Sequence, residues 1–158
     1  MSTTLGMLVI ATLVGAGLVT GLLFAFSNFV MRALADLPHE AGMSAMQRIN
    51  ERILNPLFFV LFFGTPLGCV VIAMAAVQGA GGPGAPWLLA GALTYLAGPL
   101  AITMLCNVPL NNRLARTAPA AAGEAWPEYR RRWQRWNHLR TCVGIASIAL
   151  LATGLAGM

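Results

Sequence analysis

The chain has 158 residues, 58% of them hydrophobic and 9% charged, where a soluble domain carries about 45–50% apolar and about 25% charged residues. So few charges cannot cover a water-facing surface, which excludes a soluble fold, a disordered chain and a disulfide-stapled scaffold. The net charge is +5, from ten positive and five negative side chains, and all ten cations are arginine.

Four apolar runs, about 5–28, 56–77, 86–107 and 139–156, are each long enough for a helix of roughly 20 residues to cross a bilayer. None holds Asp, Glu or Lys, and their one arginine, Arg140, stands at the start of the fourth. The predicted fold class is all-α: an integral membrane four-helix bundle forming a single domain over 1–158, with short interfacial helices in the two long loops. Residues 1–4 carry no basic side chain and no small-residue cleavage site ends the first run, so it reads as a retained span, not a signal peptide. Gly17, Gly21 and Ala25 recur every fourth residue along it, and Gly64-x-x-x-Gly68 repeats the device on the second run. Such ladders let helix backbones approach closely, here as packing within the bundle more than as a dimer seam.

In the first long loop, Met43, Met46, Ile49 and Ile53 share a helical face, which predicts an amphipathic interfacial helix. Asn55-Pro56 reads as an N-cap followed by a first-turn proline. Pro66 and Pro99 are expected to kink their spans. The glycine- and proline-rich stretch 79–86 is a turn, Asn107-Val-Pro109 reads as a helix end and restart, and 124–137 predicts a helix running into the fourth span.

The arginines lie on two segments only: Arg32, Arg48 and Arg52 on one, and Arg113, Arg116, Arg130, Arg131, Arg132, Arg135 and Arg140 on the other. The termini and 78–86 have none. The positive-inside rule then puts both long loops in the cytoplasm and both termini outside, the expectation for a bacterial inner-membrane protein. The arginines alternate with Trp126, Tyr129, Trp133 and Trp136, an interfacial aromatic pattern; the expected partner is the lipid bilayer and not a nucleic acid.

Cys69, Cys106 and Cys142 stand singly on three spans, so no thiol–disulfide pair is formed in sequence. The spans lack the carboxylate of a proton-coupled antiporter. His39 and His138 cannot ligate a haem together inside the bundle, and no phosphate loop, Ser/His/Asp set or zinc spacing occurs. Under the predicted topology, however, each span carries an amide near its cytoplasmic end: Asn28, Asn55, Asn107 and Asn137, with Asn111 and Asn112 one turn beyond Asn107. Amides at that depth must be hydrogen-bonded or wet, so they form either one polar pocket or four separate caps. Tyr129, Trp133, Trp136 and Arg140 make a continuous helical stripe beside Asn137 and His138. An aromatic wall there suits a flat aromatic ligand, and His138 is the nearby group able to exchange a proton near neutral pH.

Phe26-Ser-Asn-Phe29, Ile49-Asn-x-x-Ile53-x-Asn55-Pro56, Asn107-Val-Pro-Leu-Asn-Asn112 and Trp133-x-x-Trp-Asn-His138-x-Arg140 resemble the corresponding stretches of the anthrone oxygenase family of small four-span membrane proteins. The resemblance implies oxidation of an anthrone or phenol-type hydrophobic aromatic by O₂ as co-substrate, with no organic or metal cofactor. In that reading His138 is the base or the group that positions it, Asn107, Asn137 and Arg140 hold the oxyanion, and Asn28, Phe29, Asn55, Asn111 and Trp133 contact the substrate. Two alternatives stay open: a non-catalytic membrane module using the same pocket, and a metal-dependent oxidoreductase built on His138 with His39, Glu51 or Glu128. A homo-oligomer is also left open.

Overall fold

In the computed structural model, which describes residues 3–158, the elements are α1 (Thr3–Ala25), α2 (Met31–Ala35), α3 (His39–Arg52), α4 (Pro56–Val77), α5 (Ala85–Tyr95), α6 (Val108–Ala115) and α7 (Ala122–Ala156). Wide π-type turns at Phe26–Val30, Leu96–Leu100 and Thr103–Asn107 carry α1 into α2 and α5 into α6. The result is four rods, Thr3–Ala35, Pro56–Val77, Gly82–Ala115 and Pro119–Ala156, each long and apolar enough to cross a membrane. The chain is an all-α membrane bundle, with no strand among the described residues.

Local chemistry accounts for the boundaries. Asn55 Oδ1 accepts the Phe58 N–H at 3.0 Å and Pro56 opens α4, so the cap and first-turn proline act together. The turn before α5 is made by Gly79, Gly81 and Gly82, all at positive φ, where other residues are strained. The helix does not end at Asn107-Val-Pro109. Instead the Val108 N–H reaches back to Thr103 O, and the wide turn lets the rod continue past a proline that lacks its own N–H.

Close packing uses glycines, and of the anticipated ladders only Gly68 takes part. A Cβ on Gly15 would collide with Thr65 Oγ1, and one on Gly68 with Thr12 Oγ1, so α1 and α4 approach through a reciprocal glycine–threonine pair. Gly17, Gly21 and Gly64 have nothing within 4 Å and face outward. Every face of α1 is apolar, so spacing alone could not say which ladder turns inward. On the other side Gly91 meets Leu151 and Gly154 meets Leu88, locking α5 to α7. Val9, Cys69, Ile72, Leu88 and Leu151 are fully buried in the core at the arginine-free end.

A second core gathers at the arginine-rich end. α7 runs unbroken for 35 residues, so at roughly 1.5 Å per residue its first half projects about 25 Å beyond the apolar segment. Met43 and Met46 of α3 bury against this projection together with Leu114, Trp126, Tyr129 and Trp133. Trp126, Tyr129 and Trp133 are therefore core residues and not the interfacial belt expected of them, and α3 lays its apolar face on protein. Trp136 alone of the four aromatic residues stays 38% exposed.

Candidate functional site

Between the two cores lies a cavity of about 380 Å³, within the roughly 300–1,000 Å³ range of small-molecule sites. α4 supplies an aromatic wall, Phe58, Phe59, Phe62 and Phe63; Phe58 stacks on Phe62 at 5.3 Å, and Phe62 meets Phe63 edge-on. α1 adds Val19, Leu22 and Leu23, the wide turn after it adds Phe26, and α7 adds Trp133 and Arg140. The polar lining comes from Gln47, Asn50 and Glu51 on α3, Thr103 in the wide turn, and Asn111 and Asn112 on α6.

Arg140 is the unusual member. It is 5% exposed and lies at the start of the fourth apolar run. Its Nε and Nη2 donate to Asn137 Oδ1 at 3.1 and 2.8 Å, and Nη1 donates to Thr103 Oγ1 at 2.9 Å. The guanidinium also stacks 5.1 Å from the Trp133 ring. A guanidinium has five N–H groups, so these three bonds leave one free on each terminal nitrogen. Among the described residues the ion pairs are Arg113–Glu128 and Arg132–Glu128; Arg140 has none. A buried cation without a counter-ion is costly, and within a membrane span such a group marks function.

The neighbours of Arg140 are themselves fixed. Asn137, fully buried, donates to Leu23 O at 2.8 Å and Ser27 Oγ at 2.7 Å, tying α7 to the wide turn after α1. Thr141 Oγ1 lies 3.2 Å from Ser27 Oγ and donates to Asn137 O. Thr103 Oγ1 donates to Pro99 O at 2.5 Å, leaving its lone pairs for Arg140. Two of the three π-type turns thus carry residues of the site, the usual setting for such bulges.

The predicted site residues divide. Trp133, Arg140 and Asn111 line the cavity, Asn137 anchors Arg140, and Asn111 Oδ1 accepts from Tyr129 OH at 2.8 Å. Asn107 is buried behind Trp133, whose carbonyl accepts its Nδ2 at 3.2 Å, with Oδ1 unpaired. Asn55 is a helix cap only. Asn28 and Phe29 are exposed on the outside of the first rod. His138 is exposed too and does not line the cavity. Helical phase explains this: one residue advances about 100°, so His138 leaves the face shared by Trp133, Asn137, Arg140 and Thr141. The amides therefore do not form one pocket; some of them do, with partners the sequence did not single out. Thr103 and the paired phenylalanines were missed, although Pro99-x-x-x-Thr103 and the i, i+4 phenylalanine spacing are signals that could have found them. Among the described residues no three His, Cys, Asp or Glu side chains come together to hold a metal.

The anthrone oxygenase family model matches residues 58–150, more than half of the chain. The chain belongs to the anthrone oxygenase family. The matched segment contains the phenylalanine wall, Thr103, Trp133, Asn137 and Arg140. Among curated proteins and among solved structures nothing matches significantly.

Proposed function

We propose that the protein is a membrane-embedded oxygenase that uses O₂ on a flat hydrophobic aromatic of the anthrone or phenol class, without an organic or metal cofactor. The observation that carries this reading is the counter-ion-free guanidinium of Arg140 inside an aromatic-lined cavity. Such a site favours a ligand that is apolar over most of its surface and bears one anionic oxygen. An anthrone becomes that ligand when it loses a proton from its ring methylene, because the electron pair moves onto the ketone oxygen as an enolate. The free N–H groups of Arg140 then meet a charge that develops during reaction, the arrangement that lowers a barrier most. Trp133 and the phenylalanine wall hold the rings.

The enolate is electron-rich enough to reduce O₂ directly, and an apolar chamber favours dissolved O₂. The methylene carbon forms a bond to oxygen to give a hydroperoxide. Loss of the second carbon-bound proton with cleavage of the O–O bond leaves a carbonyl and releases water. The sum is anthrone plus O₂ giving anthraquinone plus water. The arginine-rich end faces the cytoplasm under the positive-inside rule, with lipid around the four rods.

The test is O₂ uptake and quinone absorbance with anthrone, using purified protein in detergent or liposomes. Turnover that falls about 10²–10³-fold in Arg140→Gln supports the reading. Saturable anthrone binding with no O₂ uptake by the wild-type protein overturns it in favour of a binding module.

A further inference from the structure

Enolate formation needs a proton acceptor, and His138 is exposed and does not line the cavity. We infer, resting on the oxygenase reading, that Glu51 accepts the proton from the substrate methylene. Of the described side chains lining the cavity, only Arg140 and Glu51 are ionisable. The rest of the polar lining, Gln47, Asn50, Thr103, Asn111 and Asn112, consists of neutral amides and a hydroxyl that do not take up protons near neutral pH. Glu51 is uncommitted, since both ion pairs among the described residues use Glu128.

Its position suits the task. Glu51 stands in the last turn of α3, next to Asn50, and is exposed while it lines the cavity. It therefore borders substrate and water together and can hand a proton to bulk solvent after each cycle. Arg140 is buried on the α7 wall, so the carboxylate and the oxyanion clamp act on the substrate from different helices. In the step itself a methylene C–H bond breaks, its electron pair passes into the enolate held by Arg140, and the proton forms an O–H bond on the Glu51 carboxylate. Solvent then takes the proton and restores the carboxylate.

Proton abstraction can be read without oxygen. Under anaerobic conditions in D₂O the wild-type protein is expected to exchange the methylene hydrogens of unsubstituted anthrone for deuterium. Glu51→Gln is expected to slow this by about 10²–10⁴-fold, with anthrone affinity measured by tryptophan quenching unchanged. Glu51→Ala is expected to regain part of the exchange when acetate is added. Exchange at the wild-type rate in Glu51→Gln would overturn the assignment and leave the oxygenase reading standing. A wild-type protein that binds anthrone but neither exchanges deuterium nor consumes O₂ would overturn both.

Discussion

Replacing Arg140 by glutamine removes the charge from the cavity and leaves a shorter, neutral polar head. In the folded protein the guanidinium has three bonds to Asn137 and Thr103 and a ring contact with Trp133. A unit charge about 4 Å from an enolate oxygen is worth about 4 kcal/mol at an effective dielectric of about 20. At about 1.4 kcal/mol per decade that is nearly three decades of rate. Stability should move much less, because the lost hydrogen bonds are offset by no longer burying an unpaired charge. Arg140→Lys separates the two contributions, since it restores charge without the planar fork that engages Asn137 Oδ1 twice, and its rate should fall between wild type and glutamine. The assay is steady-state O₂ uptake with anthrone, alongside thermal unfolding in the same detergent. Unchanged turnover in Arg140→Gln would refute the reasoning, as would a rate loss matched by collapse of the fold.

Asn137→Asp places a carboxylate against Arg140 and supplies the missing counter-ion, but it also removes the amide that donates to Leu23 O and Ser27 Oγ; turnover should drop about 10²-fold with a moderate fall in the melting temperature, which O₂ uptake and circular dichroism check together. Gly68→Val drives a side chain into Thr12 on α1 and should cost about 1–3 kcal/mol of stability, whereas Gly17→Val, facing open space, should cost far less; denaturant unfolding compares the two. His138→Ala should keep turnover within about threefold of wild type, since an exposed change away from the site is worth about 0.5 kcal/mol or less, and a loss of a hundredfold in the uptake assay would return His138 to the mechanism.

The rods were legible because a bilayer allows few alternatives: long apolar runs must be helices, and Asn55-Pro56 marks one start with its own cap. The stripe Tyr129, Trp133, Trp136, Arg140 was legible in part: Trp133 and Arg140 do line the cavity, with Asn137 beside them, whereas Trp136 stays exposed. What spacing could not show was which face turns inward where all faces are apolar, as with Gly17 and Gly21 against Gly15. Adjacency in sequence misled at His138, because neighbours on a helix point apart. Glu51 and Thr103 reach the cavity through tertiary placement of α3 and through a π-type turn that shifts helical phase, and neither effect is written in a local pattern. The aromatic residues of α7 looked interfacial because a polar helix studded with tryptophan and arginine has the same composition whether it meets lipid headgroups or another helix.

The central claim is that the Arg140 cavity oxygenates a bound aromatic with O₂. Its most direct test is the stoichiometry and rate of O₂ consumption by the purified protein with anthrone, followed against anthraquinone formed. The account predicts one O₂ consumed per quinone at a rate well above detergent alone, falling about 10²–10³-fold in Arg140→Gln. O₂ consumption equal to that of detergent alone, with anthrone bound, would contradict it.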